Sequence, residues 1–282
     1  MRYFIFLQYD GTLYHGWQSQ PGAVSVQETI EQKLSLLLQH ELPIVGAGRT
    51  DAGVHARSMA AHFDIDTYLV SQQGGRVGIA PQEEGKDYQS LTQEELEHTI
   101  SAGQWLTERL NRMLPPDILI DSIVPVRPEA HARYSPTART YHYYISTHRQ
   151  LFNRQYIHLM YKTLDIQAMN QAATMMLQYK DFTSFSKRHT DVKTFLCDIM
   201  EAEWEETKPG EYRFRIKANR FLRGMVRAIV GSLLQVGLHR ISIADFCHII
   251  ECKDRCAAGE AVPGNALFLE EVDYPADIFY TA

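Results

Sequence analysis

The sequence predicts an α+β fold built as two similar lobes, and three observations carry that reading. Apolar residues alternate with period two in some short stretches and recur at helical spacing in others. The two kinds of stretch follow one another in the order strand, helix, strand, strand, and the order occurs twice. Prolines at 125 and 128 separate the two rounds. The expected lobes are therefore 1–126, which carries a glycine-rich loop with an aspartate, and 127–282, which completes a cleft between them.

In the first round "RYFIFLQYD" reads as a strand and "SVQETIEQKLSLLLQH" as a helix, with Ser25 and Glu28 spaced as a capping box and Val26, Ile30, Leu34, Leu37 and Leu38 on one stripe. "ELPIV" and "RSMAAHFDID" read as two strands flanking the loop "VGAGRTDAGVHA" at 45–56. Residues 71–90 are polar and glycine-rich without periodicity, which predicts an exposed loop. A second capping box, Thr92 with Glu95, opens a helix through "ELEHTISAGQWLTERLNRM" that the prolines of "LPP" end, and "DILIDSIVPV" closes the lobe as a strand.

The second round begins with the strand "RTYHYYIST" and the helix "LDIQAMNQAATMMLQ". A hairpin follows, "KTFLCDIMEAEWEE" and "GEYRFRIKAN" around "TKPG", then helices "RFLRGMVRAIVGSLLQVG" and "SIADFCHIIECKD" and a last strand "ALFLEEVDY".

Composition narrows the class. The apolar fraction of 45% supplies a core, no run approaches 18 apolar residues, and the N-terminal apolar stretch is too short for a secretion signal. A cytoplasmic enzyme with no membrane partner is the expectation. Four cysteines in 282 residues make no disulfide framework; the run "CHIIECKDRC" lacks paired C-x-x-C spacing, so no metal is expected there. The net charge of −6 argues at first against nucleic acid, but its distribution reverses that. Residues 83–97 alone carry six acids against one lysine, whereas 213–227 ("RFRIKANRFLRGMVR") carry six basic residues and no acid. Residues 127–154 add five arginines against one glutamate, interleaved with aromatics, as a surface that holds phosphates and stacks bases would be.

The chemistry concentrates in "GRTDAGVH". Its glycines and alanines leave open space and permit close approach of a ligand, so Asp51 has room to reach one. Arg49 can fix that carboxylate or hold a phosphate, and the stretch alone also fits a tight turn with a local Arg49–Asp51 pair. His55 fits a packing histidine better than a metal ligand, because no third ligand stands at a sensible spacing. In "ARTYHYY" strand alternation puts Tyr141 and Tyr143 on one face, His142 and Tyr144 on the other, and a cleft tyrosine offers a stacking plane and a hydroxyl. Arg223 and Arg227 are four apart, and Arg227 borders the apolar stripe of its helix, where a partly desolvated arginine needs a carboxylate; Asp51 is a candidate.

Together these features resemble the TruA-type tRNA pseudouridine synthases. "GRTDAGVH" at Gly48–His55 looks like that family's aspartate motif, and "YDGTLYHGWQ" at Tyr9–Gln18, "NRMLPPDI" at Asn111–Ile118, "HARYSPTARTYHY" at His131–Tyr143, "DFTSF" at Asp181–Phe185, "MVRAIVGSLL" at Met225–Leu234 and "ALFLEEVDYP" at Ala266–Pro275 match in the family's order. The resemblance implies isomerisation of uridine to pseudouridine at positions 38, 39 and 40 of the tRNA anticodon stem-loop, without metal or organic cofactor. It implies Asp51 as the nucleophile, Tyr141 as a substrate-contacting tyrosine, Arg227 as the partner of the aspartate, Arg49 as the motif's arginine and Leu267 as a pocket lining. It also implies a large mixed, mainly antiparallel sheet flanked by helices, a central RNA-binding cleft and a homodimer. Residues 67–104 depart from the family in length and acidity. The alternative from another class is a tRNA-binding protein of the same fold without turnover, and a third is a metal-dependent hydrolase using Asp51 and His55.

Overall fold

In the computed structural model, which describes residues 1–65, 69–72, 76–79, 92–187 and 193–280, the alternating stretch at the N-terminus forms β1 (Arg2–Tyr9). It lies between β3 (His55–Asp64) and β6 (Ile118–Val126), antiparallel to both, with Tyr3 opposite Phe63 and Ile5 opposite Ile123. The short β2 (Val45–Gly46) pairs with β3. Tyr3, Ile5 and Leu7 are buried on one face of β1. Phe4, on the other, is buried as well, because Ile278, Tyr274 and Phe279 of the C-terminal segment pack over it.

Helix α1 (Val26–Leu38) starts at Ser25, whose hydroxyl accepts from the Glu28 N–H at 3.2 Å. The carboxylate of Glu28 turns to the amide of Gln32 rather than back to the cap, so the expected box is only half made. Helix α2 (Gln93–Met113) makes the full box between Thr92 and Glu95 and stops before the proline pair at 115 and 116. Part of the expected 71–90 loop is a hairpin instead: β4 (Leu69–Gln72) pairs antiparallel with β5 (Arg76–Ile79). Leu69 and Val77 are buried, and the backbone of Leu69 is held by the hydroxyls of Tyr3 and Thr99, so burial against neighbouring elements overrides a polar, glycine-rich sequence. Residues 80–91, with most of the acidic run at 83–97, lie outside the described residues; the run's last residues open α2.

These elements belong to one compact unit, Met1–Arg49, Ala56–Thr137 and Val272–Ala282; the second comprises Thr50–His55 and Ala138–Glu271. The segment carrying Asp51 therefore groups with the second unit, although by sequence it lies within 1–126. In that unit the strand order is β11 (Leu267–Asp273), β7 (Ala138–Ser146), β10 (Glu211–Ala218) and β9 (Ile199–Lys208), with β8 (His158–Leu159) parallel to β7. Helices α3 (Ile166–Met175), α4 (Met225–Gly237) and α5 (Ile243–Glu251) contribute Met169, Ile229, Leu233 and Phe246 to a core with Tyr143, Phe214 and Ile216 of the strands. The helix expected from residue 220 begins only at Met225, because Gly224 adopts φ +72° and breaks the turn before it. The described strands are mixed but mainly antiparallel and five α-helices flank them, which is the α+β class read from the sequence.

Each unit closes its outer strand in the same way. On α2 the side-chain amide of Asn111 donates to the Ile120 carbonyl and accepts from the Ile120 N–H, both at 2.8 Å, across β6. On α3 Asn170 makes the same pair of bonds to Trp204 of β9, at 2.9 and 2.7 Å. A carboxamide carries one acceptor and donors in the geometry of a peptide group, so each asparagine stands in for a missing neighbouring strand on an end strand of the sheet.

Within the first unit, His62 on β3 is buried. Its Nδ1 accepts from the Ala132 N–H at 3.2 Å, which leaves the neutral ring protonated on Nε2. Burial, with the nearby charges of Arg2 and His131, lowers its pKa to about 4.

Two outcomes follow for stability. Replacing Asn170 by Ala removes both edge bonds and is expected to cost about 1–3 kcal/mol, read as a lower melting temperature, and to promote self-association on concentration. Because the unfolded chain protonates His62 near its ordinary pKa while the folded chain does not until about pH 4, stability falls as pH drops from about 6.5 to about 4. His62→Gln is expected to flatten that part of the melting-temperature profile.

Candidate active site

The turn that carries Asp51 is short and tightly supported. The Val54 N–H donates to the Asp51 carbonyl at 3.2 Å, and Gly53 in the third position takes φ +74°, which a side chain would resist. Val54 plugs into the core of the second unit and anchors the turn from below. The strap Val262–Ala266 lies against it. A Cβ at Gly264 would stand 2.8 Å from the Ala52 carbonyl oxygen and 3.1 Å from a Val54 methyl, so only glycine lets the strap approach this closely. His55, next along the chain, is buried with its ring stacked on Phe268 at 4.5 Å, and its Nε2 lies 3.0 Å from the Asn265 carbonyl. It is a packing group that ties the turn to the strap.

Arg227 comes from the first turn of α4 and is bound at both ends of its guanidinium. Nη1 donates to Asp51 Oδ2 at 2.9 Å, while Nε donates to the Val262 carbonyl at 2.7 Å. The Val262 N–H returns a bond to the Arg227 carbonyl at 3.2 Å. The strap itself is anchored by Tyr143, whose hydroxyl is 3.0 Å from both the Pro263 carbonyl and His158 Nδ1. The carbonyl can only accept, so Tyr143 donates there and takes the His158 Nδ1 proton as acceptor. Asp51 thus meets Arg227 through a chain of directed bonds, near the N-terminus of α4, where the helix dipole favours a negative charge. A second guanidinium, Arg223, brings its Nε to 3.6 Å from Asp51 Oδ1.

The sequence's other candidates divide. Tyr141 is partly buried, with its ring edge-on to Phe221 at 5.1 Å. Burial raises its pKa to about 12, and the Asp51 charge adds to the rise against the opposing pull of Arg139, which places the phenol within the field of the carboxylate. Leu267 is buried at the start of β11 in the same core as Val54 and Val226. Arg49 is exposed and donates from Nε to Gln18 Oε1 at 3.1 Å, so the local Arg49–Asp51 pair is not formed, and the hydrogen bond to the carboxylate comes from Arg227. The alternation read in β7 holds: Tyr143 is in the core, whereas His142 sits 3.2 Å from Glu270 and Tyr144 packs edge-on to Phe268.

The basic stretch 213–227 is less naked than composition suggested. Arg213 pairs with Glu205, and Arg215 with Glu201 at 2.7 Å, across β10 and β9. Among the described residues no group of three His, Cys, Asp or Glu side chains is placed to hold a metal ion. Sequence reasoning missed the strap and Tyr143 as its anchor; the signal available was "VPGN" at 262–265, a turn-forming run directly before an apolar strand.

Comparison with known proteins settles the family. A family model described as tRNA pseudouridine synthase matches residues 172–275. The tRNA pseudouridine synthase A of Bacteroides fragilis is 48% identical over 278 residues, covering 99% of this chain and 98% of the relative. The chain belongs to the tRNA pseudouridine synthase family. Its likeness extends to the tRNA pseudouridine synthase A of Bacteroides thetaiotaomicron, 48% identical over 99% of this chain and 92% of the relative, and to that of Bacillus subtilis, 34% identical over 97% and 99%. Among the described residues no helix is long and apolar enough to cross a membrane.

Gly264→Ala is expected to push the strap off the Asp51 turn and cost about 1–3 kcal/mol of stability. Gly48→Ala, where a Cβ meets nothing within 4 Å, is expected to stay within about 0.5 kcal/mol. Denaturant melts of the two variants check the contrast.

Proposed function

We propose that this chain isomerises uridine to pseudouridine in tRNA, at positions 38, 39 and 40 of the anticodon stem-loop, with Asp51 as the attacking carboxylate. Pseudouridine synthases are isomerases, and the observation that carries the assignment of residues is the 2.9 Å bond between Asp51 and Arg227, formed across 176 positions of the chain. A tight turn needs no such distant partner. A carboxylate held in an open loop by a guanidinium fits a group that must meet a sugar or a base at a fixed position.

The reaction breaks the bond from N1 of uracil to C1′, forms one from C5 to C1′, releases the C5 proton and returns a proton to N1. Composition does not change, so neither hydrolysis nor electron transfer is required. Asp51 drives the first bond change by attack at C1′, by assisting loss of the 2′ proton, or by addition at C6. The target uridine must leave its stack, and the open surroundings of "GAGRTDAGVH" give it room. With its pKa at about 12, Tyr141 is a phenol at neutral pH, so it offers the displaced base a plane and a hydroxyl donor. Arg227 keeps Asp51 aimed, Leu267 lines the apolar side of the pocket, and Arg49, exposed beside Gln18, contacts RNA. Exposed cations along 127–154, Arg149 and Arg154 among them, follow the phosphate backbone. A homodimer in the cytoplasm completes the reading.

The test is tritium release from C5-tritiated uridine in unmodified tRNA. The intact protein is expected to release tritium with or without chelator, and Asp51→Ala to release none while binding tRNA; Arg227→Ala is expected to lose turnover by more than about tenfold over its loss in binding. Release by Asp51→Ala, or abolition by chelator, overturns the reading. Binding without release by the intact protein would leave the non-catalytic alternative.

A further inference from the structure

Arg223 stands beside Asp51 but makes none of the bonds among the described residues that hold the carboxylate in place. Its Nε stands 3.6 Å from Asp51 Oδ1, beyond hydrogen-bond range, whereas Arg227 is bonded at 2.9 Å. Its side chain is 48% exposed against 24% for Arg227. Its guanidinium makes no hydrogen bond to another group among the described residues, so its donors are free to meet a ligand. The backbone is nonetheless fixed. The Lys187 N–H donates to the Arg223 carbonyl at 3.0 Å, and Gly224 at φ +72° turns the chain directly into α4, so Arg223 stands ahead of the helix at the mouth of the site. Two guanidinium groups against one carboxylate leave a net charge of +1 beside the group that must meet the sugar of a nucleotide.

We propose that Arg223 binds a backbone phosphate flanking the uridine that Asp51 attacks. This deepens the tRNA reading above and rests on it. The planar fork of arginine matches two phosphate oxygens, and a phosphodiester brought to Arg223 neutralises the surplus charge in an alternating row: Arg227, Asp51, Arg223, phosphate. A second role as electrostatic partner of Asp51 is poorly served by a half-exposed, solvent-screened contact at 3.6 Å. Arg223 is therefore a substrate-binding residue that positions the sugar against the carboxylate, while Arg227 positions the carboxylate itself.

The experiment compares wild type, Arg223→Ala and Arg223→Lys on an anticodon stem-loop RNA, with Kd measured across a salt series and tritium release measured separately. Arg223→Ala is expected to weaken binding about tenfold, to place most of its loss in KM rather than kcat, and to make the slope of log K against log salt shallower by about 1. Arg223→Lys keeps the charge and is expected to restore the slope. A neutral methylphosphonate placed on one side or the other of the target uridine is expected, at one of the two, to weaken wild-type binding and leave Arg223→Ala unaffected. If kcat falls while Kd and the slope stay unchanged, Arg223 serves Asp51 and the proposal is overturned. Equal sensitivity of wild type and Arg223→Ala to both methylphosphonates overturns it as well. Failure of wild type to release tritium while the binding pattern appears would sink the catalytic reading and leave the phosphate contact standing.

Discussion

A carboxylate pinned by a guanidinium at 2.9 Å is the interaction on which the candidate site depends. Asp51 sits on a turn of four residues that has little packing of its own, and only Val54 reaches the core. What aims the carboxylate is Arg227, and what aims Arg227 is a backbone carbonyl, Val262 O, on a strap held by Tyr143 and fitted against the turn through Gly264. Each bond in that chain is directed, and each limits the freedom of the next. In a pair as buried as this one, desolvation offsets much of the Coulomb attraction, so it adds little to stability by itself. Its value is geometric: it holds one oxygen of Asp51 and leaves the other facing the looser Arg223.

The frame around the site follows from a different constraint, the open edges of the strands. Asn111 and Asn170 present the same carboxamide to β6 and β9, each from the helix packed on that strand. An unpaired edge would otherwise display a row of backbone donors and acceptors to any other strand. In β9 and β10 the charges of Arg213, Arg215, Glu201 and Glu205 pair across the ladder as well, which spends on the sheet some of the positive charge that composition alone had assigned to RNA.

Much of this was legible residue by residue. The helices declared themselves by period and cap: Thr92 with Glu95 makes the full box, and Val26, Ile30, Leu34 and Leu38 form the buried stripe of α1. The pairing of Arg227 with Asp51 followed from an arginine placed at the edge of an apolar stripe, which must find a carboxylate. Other readings differ from the structure, and the reasons can be named. The hairpin of β4 and β5 reads as loop in the sequence because the groups that hold the Leu69 backbone, Tyr3 and Thr99, are far away along the chain. Helix α4 starts five residues later than its periodicity predicts because Gly224 at positive φ leaves no mark in hydrophobic period. The strap was missed because its work is done by backbone carbonyls, which every residue has.

The sequence by itself determined the class of fold, most element types and the family, since these depend on local periodicity, capping and motifs within a few residues of one another. The tertiary structure alone decided which cation holds which oxygen of Asp51, that Arg49 turns to Gln18, that Arg223 is left half free, and that Tyr143 reaches Pro263. Those outcomes hang on distances of a few tenths of an ångström between groups up to 176 positions apart, set by how the strands and helices pack. No pattern within a short stretch of chain encodes such a distance.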